Sequence, residues 1–184
     1  MDLSGQILIS MPGLGDTRFD RSVVLICAHS PEGAMGLIIN KPAHDLDFAG
    51  LLAHLEIERQ DGARDIRVHF GGPVERGRGF VLHSDDYRAD AGTLAVAGGY
   101  GMTATLDVLQ ELASGGGPRQ ALLALGYAGW GPGQLEGELA RNDWLTATPT
   151  PDLIFAPDDA AKWASALRAM GVNPLLLASE GGRA

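Results

Sequence analysis

The 184-residue chain has little cysteine, little positive charge and no long apolar run, and each shortage excludes a class of protein. Cys27 is the sole cysteine, so the chain cannot form an internal disulfide. Fourteen Lys and Arg stand against 23 Asp and Glu, and the resulting net charge of −9 opposes direct contact with nucleic acid. No apolar stretch approaches the roughly 18 residues of a membrane-spanning helix. Residues 1–5 lack the features of a signal peptide, so we expect a cytoplasmic protein without a membrane partner.

The common catalytic and metal-binding spacings are also missing. No serine lies in a Gly-x-Ser-x-Gly motif, and the five histidines never form a His-x-x-x-His pair. Cys27 lies within an apolar segment, where a thiol is usually an inert small hydrophobe. We therefore assign no catalytic residue, no metal ligand and no cofactor from the sequence.

Glycine is abundant, with 26 residues that follow no period and separate short apolar runs. Gln6–Ser10 is predicted to be a strand. Val23–Ala28 and Gly36–Ile39 are apolar without alternation, which is typical of strands buried on both faces, and the turn between them predicts a hairpin. Further strands are predicted at Arg67–Phe70, Gly79–His83, Thr93–Ala97, Ala121–Leu125, Trp144–Leu145 and Leu153–Phe155.

Helical spacing of apolar residues predicts four helices. The first is capped by Asp45 or Asp47 and buries Phe48, Leu51, Leu52 and Leu55. The second is capped by Thr103 and carries the apolar stripe Met102, Leu106, Leu109 and Ala113. The third begins at Pro132 and buries Leu135 and Leu139, and the last begins at Pro157, buries Ala160, Trp163, Leu167 and Met170, and ends at Gly171. Because strands and helices are mixed rather than strictly alternating, we predict an α/β (α+β-like) fold, with a large mixed sheet and packed helices in one compact domain over residues 1–184.

The segment Gly126–Leu139 has the densest pattern, with five glycines and two aromatic residues after an apolar strand. We interpret the glycine-rich stretch after Leu125 as a turn that leads into the helix beginning at Pro132. A phosphate would meet no Lys or Arg there, and Glu136 and Glu138 oppose it, so a structural turn is favoured. Tyr100 follows a similar strand and glycine pair, which predicts that Tyr100 and Tyr127 lie at the same end of the sheet.

Three turns carry the candidate binding residues. Asn40-Lys41-Pro42 follows a buried strand and offers an amide and an ammonium, although Pro42 also fits a plain turn. Gly71–Val74 and Gly129–Gln134 are rich in glycine and aromatic side chains. We predict that these turns form one surface, and its candidate residues are Asn40, Lys41, Gly71, Gly72, Pro73, Trp130 and Gln134.

An alternative is an enzyme, a hydrolase or transferase, that uses His83 and a nearby carboxylate. The run His83-Ser84-Asp85-Asp86 contains the residue types for acid–base chemistry. Adjacent residues of a strand point to opposite faces, so this run cannot itself form a catalytic triad. A strand end that enters a polar turn explains the same residues.

Four ordered segments resemble the YqgE/AlgH family. They are Leu8–Leu14 with Phe19–Val24, then Gly33–Pro42, then Gly71–Val74 with Gly79–His83, and finally Gly126–Leu139 with Asn142 and Trp144–Leu145. The chain departs from the family pattern at Lys41, where arginine is common. The resemblance implies a compact α/β protein with a large mixed sheet. Members of the family are described as uncharacterised or as transcriptional regulators, and the resemblance implies no catalytic residues.

Together these observations favour a cytoplasmic regulatory domain that binds a small molecule or a protein partner, both unidentified. The enzyme that uses His83 is the second interpretation. A regulator that contacts DNA directly is the third, and the net charge opposes it.

Overall fold

The computed structural model describes residues 1–178, which contain nine strands, six α-helices and one 3₁₀ turn. The strands are β1 (Ile7–Ser10), β2 (Val23–Ser30), β3 (Gly33–Ile38), β4 (Val68–Phe70), β5 (Val74–Ser84), β6 (Thr93–Val96), β7 (Tyr100–Thr103), β8 (Ala121–Trp130) and β9 (Trp144–Ala147). The helices are α1 (Phe48–His54), α2 (Leu106–Ala113), α3 (Gln134–Ala140), α4 (Pro151–Ile154), α5 (Asp159–Ala169) and α6 (Pro174–Ala178), and the 3₁₀ turn is Thr17–Phe19.

The strands form one curled sheet in the order β6-β7-β5-β8-β3-β2-β1-β9, in which every neighbouring pair is antiparallel. The short strand β4 pairs with β8 in parallel, so the predicted mixed sheet is confirmed. The predicted hairpin of β2 and β3 is also confirmed, with an irregularity between Ile26 and Ala28.

The central strands are buried on both faces, as their continuous apolar sequence predicts. On one face, Val23 and Leu25 pack in a cluster with Trp163 and Leu167 of α5. On the other, Val24 and Ile26 pack with residues of α3 and β9. Each fully buried aliphatic side chain contributes about 1.5–3 kcal/mol, so these two clusters stabilise β2 from both faces.

A third cluster lies under α1 and α2, where Phe48 and Leu112 pack against Val81 of β5 and Leu123 of β8. Asp47 caps α1 by accepting a hydrogen bond of 2.8 Å from the backbone N–H of Gly50. The choice between Asp45 and Asp47 is thereby settled. No helix within residues 1–178 combines the length and the apolar character needed to cross a membrane.

The predicted cap at Thr103 is wrong. Thr103 is the buried last residue of β7, which pairs with both β5 and β6, and Met102 belongs to the same strand. Helix α2 begins only at Leu106, which is 50% exposed rather than buried. Threonine favours both strands and helix caps, and the two ladders decide in favour of the strand.

The predicted strand at Leu153–Phe155 is also wrong, because Pro151–Ile154 forms α4. The hydroxyl of Thr150 caps this helix by accepting a hydrogen bond of 3.2 Å from the N–H of Leu153, and Pro151 occupies the first turn. In α5, the predicted stripe is wrong at Ala160 and Met170, which are exposed. Helix α6 had no counterpart in the prediction.

The predicted turn after Leu125 is wrong as far as Trp130, because β8 continues to that residue. Gly126 has a positive φ of 74°, and a Cβ atom there would lie 2.4 Å from the carbonyl oxygen of Gly72. Glycine therefore lets β8 pass close to the Gly72 segment while the strand continues. Helix α3 begins at Gln134, so Pro132 lies before the helix rather than at its first position.

The expected placement of Tyr100 and Tyr127 is wrong. Tyr100 lies opposite Ser84 at one end of β5, whereas Tyr127 lies opposite Val74 at the other end. The similar sequences around the two tyrosines therefore occupy different structural settings.

Candidate functional site

A groove of about 850 Å³ lies on the sheet, and we call it the sheet groove. Its lining residues come mainly from six neighbouring strands, β6, β7, β5, β8, β3 and β2. Met35, Phe80, Met102 and Tyr127 supply apolar surface inside the groove. The groove therefore offers an extended apolar floor on a rigid support.

Aromatic and charged side chains shape this groove. The rings of Phe80 and Tyr127 meet edge to face, with centroids 5.9 Å apart. The guanidinium of Arg78 lies 5.1 Å from the centroid of Phe80 and pairs with Glu75 at 3.5 Å. Leu94 of the edge strand β6 is 42% exposed and belongs to the lining. An apolar side chain thus faces solvent at the rim of an apolar groove.

Trp130 also lines the sheet groove, but its polar atom has an internal partner. Trp130 is 7% exposed, and its Nε1 donates a hydrogen bond of 2.9 Å to Oε2 of Glu138. The same oxygen accepts a bond of 2.8 Å from Nε1 of Trp144. Gln134 is exposed, accepts a bond of 3.0 Å from the N–H of Gly131 and donates one of 3.1 Å to Glu138. These residues fix the start of α3 against the sheet.

A second cleft of about 370 Å³, which we call the basic cleft, contains Asn40 and Lys41. Asn40 is buried, and its Oδ1 accepts a hydrogen bond of 2.9 Å from the N–H of Val23. Its Nδ2 donates a bond of 2.8 Å to the carbonyl oxygen of Arg21. The Lys41 ammonium donates to the carbonyl oxygen of Asp20, and burial lowers the pKa of Lys41. Asn40 therefore holds the neighbouring loop, whereas Lys41 keeps further N–H donors available.

Gly71 and Gly72 lie where the chain crosses β8. The N–H of Gly71 donates a bond of 2.8 Å to the carbonyl oxygen of Leu125, and the carbonyl oxygen of Gly71 accepts one of 2.8 Å from Ile38. A Cβ atom on Gly72 would lie 2.0 Å from the carbonyl carbon of Tyr127. Both glycines are buried, and Pro73 after them is half-buried. The close approach of this segment to the backbone of β8 explains why both positions are glycine.

The predicted binding residues therefore do not converge on one cleft. Trp130 lines the sheet groove, Asn40 and Lys41 line the basic cleft, and the glycines lie at the strand crossing. Whether any of them contacts a ligand stays a prediction.

Sequence reasoning missed a cluster of charged side chains beside the basic cleft, which we call the ion-pair cluster; His69, Asp159 and Lys162 are buried in it, and Arg67 is partly exposed. Its centre is Asp159, whose carboxylate lies 2.6 Å from Arg67, 3.0 Å from Nε2 of His69 and 3.0 Å from Nζ of Lys162. The ammonium of Lys162 also donates bonds of 2.8 Å to the carbonyl oxygens of Ile39 and Ile154. The spacing of Asp159 and Lys162 on one helix was a visible signal, but His69 lies ninety residues earlier.

The opposite charges of the ion-pair cluster compensate each other. Burial alone would raise the pKa of Asp159, but the hydrogen bond from His69 and the charges of His69 and Lys162 outweigh burial and lower it. Burial lowers the pKa of Lys162, and Asp159 opposes that shift. The cluster therefore holds Asp159 ionised, in contact with three potential cations.

His83 has partners other than a carboxylate. The N–H of Ala89 donates to the hydroxyl of Thr93, whose hydroxyl lies 2.8 Å from that of Thr103. Thr103 in turn lies 2.7 Å from Nε2 of His83, and Nδ1 of His83 lies 2.7 Å from the carbonyl oxygen of Ser84. This chain of donors suits a neutral imidazole, and burial lowers the pKa of His83 in agreement with it.

Two further kinds of site, a cysteine nucleophile and a metal centre, have little support in the described part of the chain. Burial raises the pKa of the Cys27 thiol to about 12, so it carries negligible thiolate at neutral pH. Within residues 1–178, no group of three or more His, Cys, Asp or Glu side chains is placed to hold a metal ion.

Comparisons with known proteins agree on the relatives of the chain. The model of the AlgH-like family matches residues 7–175. A UPF0301 protein of Cereibacter sphaeroides is 62% identical over 184 residues, and one of Ruegeria pomeroyi is 52% identical over 185 residues; each alignment covers 100% of both chains.

Solved structures give the same result. The structure of the AlgH protein from Pseudomonas aeruginosa has a TM-score of 0.80 and 38% identity, and the match covers 100% of this chain and 97% of that one. A protein from Corynebacterium diphtheriae shares the fold, with a TM-score of 0.71 and 23% identity. That match covers 91% of this chain and 86% of the other. Because the family model spans nearly the whole chain and the sequence relatives match it from end to end, the chain belongs to the AlgH-like, or YqgE/AlgH, family.

Proposed function

We propose that residues 1–184 form one cytoplasmic, non-catalytic regulatory domain that binds a small apolar molecule in the sheet groove. The observation that carries this proposal is the groove of about 850 Å³ with its floor of Met35, Phe80, Met102 and Tyr127. Small-molecule sites occupy roughly 300–1,000 Å³ and combine an apolar lining with a few polar groups. Glu75 and Arg78 supply such groups at this site.

Only some of the predicted binding residues belong to the sheet groove. Trp130 forms part of the wall of the groove, and Gln134 supports Trp130 through Glu138. Asn40 and Lys41 belong to the other cleft. Because Trp130 and Asn40 are also buried and hydrogen-bonded, replacing either one would disturb the fold together with any site. The exposed rim residue Leu94 is the better probe.

The test measures binding of the neutral apolar dye Nile red by fluorescence. Leu94→Glu places a carboxylate at the rim of the groove, where apolar contact would leave it unpaired, so we expect binding to weaken roughly tenfold or more. Leu106→Glu is the matched control, because Leu106 is 50% exposed and lies on α2 outside the groove. Equal binding by both variants and the parent protein would overturn the proposal.

Native mass spectrometry of the purified protein adds an independent readout. An apolar molecule that co-purifies with the parent protein and is lost in Leu94→Glu would support the small-molecule site. A protein partner lost in the same variant would instead assign the groove to protein recognition.

The other two interpretations have specific weaknesses. Both ring nitrogens of His83 are hydrogen-bonded to neutral groups, so no carboxylate bonds to the ring, and Asp86 acts on His83 only through its charge. The net charge of −9 opposes direct DNA binding, and a regulator of this charge acts more readily through a ligand or a partner. A DNA mobility shift that weakens steeply with salt would favour direct regulation instead.

A further inference from the structure

The basic cleft gathers positive charge on a chain whose net charge is −9. Arg21, Lys41 and Arg168 all line it. Within residues 1–178, Arg21 and Arg168 make no ion pair, although carboxylates outnumber basic groups in the chain. Three cations in one small cleft repel each other unless an anion lies between them.

The carboxylates near the cleft do not cancel this charge. Asp159 lines the cleft, but Arg67 and Lys162 already compensate it. Asp20 lies close enough to raise the pKa of Lys41, and the charge of Arg21 lowers that pKa. Counting Asp20 against the three cations of the cleft leaves two net positive charges.

The backbone of Arg21 is held in a conformation that few residues adopt. Its φ is 49°, in the left-handed region, and such a residue costs on the order of 1–3 kcal/mol. The buried amide of Asn40 bonds to both sides of it, at the carbonyl oxygen of Arg21 and at the N–H of Val23. The guanidinium then lies 5.3 Å from the ring centroid of Trp163. The cation is thus positioned in advance at the cleft.

We propose that the basic cleft binds the phosphate group of a small organic phosphate. Arg21, Lys41 and Arg168 donate to the phosphate oxygens, and Asn40 positions Arg21. A phosphate dianion matches the two net charges, and guanidinium groups bind phosphate oxygens in a bidentate manner. Pro174 and Leu175 at the wall accommodate the organic part.

The size and isolation of the cleft favour a small molecule over a nucleic acid. Its volume of about 370 Å³ lies at the low end of small-molecule sites. Nucleic-acid binding needs a continuous basic surface, whereas this chain is acidic overall. The cleft is also separate from the sheet groove, with which it shares no lining residue.

The test is calorimetric titration of the full chain with inorganic phosphate and with pyrophosphate, using citrate as the carboxylate probe. Arg168→Gln and Lys41→Gln should each weaken phosphate binding roughly tenfold, because each removes a charge-assisted hydrogen bond. Arg59→Gln is the matched control, since Arg59 is an exposed arginine outside the cleft and its loss changes the net charge equally. Thermal melts confirm that the variants remain folded.

Three results would overturn the phosphate site. They are no binding of either phosphate probe, equal weakening by Arg59→Gln, and tighter binding of citrate than of phosphate at the same residues. Leu94→Glu should leave phosphate binding unchanged, and Arg168→Gln should leave Nile red binding unchanged. Failure of one proposal is therefore distinguishable from failure of the other.

Discussion

The ammonium of Lys162 lies 3.0 Å from the carboxylate of Asp159, one helical turn earlier on α5, and both side chains are almost fully enclosed. Lys162 also bonds to the carbonyl oxygens of Ile39 and Ile154, so it joins α5 to the end of β3 and to α4. A buried ammonium is tolerated only with compensation by charge and hydrogen bonds. Asp159 is therefore the residue on which this junction depends.

Asp159→Asn should lower the free energy of unfolding by about 3–5 kcal/mol, because it leaves Lys162 buried without its counter-charge. Urea unfolding at neutral pH measures the change. The neighbouring Asp158→Asn is the matched control: Asp158 caps α5 by accepting a bond from Ala161, and asparagine is an equally good cap. Similar losses in both variants would show that the ion-pair cluster has no special role.

The same carboxylate predicts how stability depends on pH. The pKa of Asp159 is lower in the folded protein than its usual value of roughly 3.9 in unfolded chains. Its contribution is therefore complete above that unfolded value and is lost as the pH falls through the folded pKa. We expect the free energy of unfolding to fall more steeply for the parent protein than for Asp159→Asn between about pH 5 and pH 3.

Other acidic groups make the variant a necessary comparison. Hydrogen bonds from Arg18 lower the pKa of Asp16, and one from Ser84 lowers that of Asp86. Both groups remain in Asp159→Asn, so the difference between the two curves isolates Asp159. Parallel curves would mean that Asp159 titrates as it does in the unfolded chain.

Gly72→Ala should prevent stable folding, because the new Cβ atom would lie 2.0 Å from the carbonyl carbon of Tyr127 and neither backbone can move freely. The φ of 156° adds strain. We expect a loss of at least about 3 kcal/mol in urea unfolding, or failure to obtain folded protein. Gly77→Ala, in the same strand region, is the control because a Cβ atom there contacts nothing within 4 Å.

This result would distinguish two explanations of the glycine pair. If Gly72→Ala folds with unchanged stability, the close approach of the two segments does not determine the residue. A binding role for Gly71 and Gly72 would then become the better explanation of the motif.

The sequence predicted the fold where burial alone decides it. Val23–Ala28 is apolar without interruption, and β2 is covered on both faces. The lack of alternation in the sequence predicts this burial directly. Thr103 misled the prediction because pairing with β5 and β6 outweighs its local preference for a cap. Lys162 was absent from the predicted stripe of α5 because its burial depends on Asp159 and on two carbonyl oxygens from other segments.

The clefts were harder to predict for the same reason. The sheet groove is assembled from six strands, and Leu94 becomes part of it only through the pairing of β6 with β7. Lys41 was visible as a candidate in a short polar turn. Its neighbours Arg21 and Arg168 come from distant segments, and no local pattern links them.

Glu138 joins Trp130 and Trp144, because one carboxylate oxygen accepts both indole N–H groups at 2.9 and 2.8 Å. The two rings also meet at an interplanar angle of 76°, with centroids 6.2 Å apart.

Glu138→Ala should therefore cost about 2–4 kcal/mol in urea unfolding, since it leaves two buried donors without an acceptor. Glu138→Gln should cost less, because its amide oxygen can still accept. Gln134→Ala removes two exposed hydrogen bonds, one to the same carboxylate and one from the N–H of Gly131, and should change stability by only about 0.5 kcal/mol. If Glu138→Ala is no more destabilised than Gln134→Ala, the shared acceptor is not what holds the two tryptophans together, and Trp130 would be available to act mainly as a wall of the sheet groove.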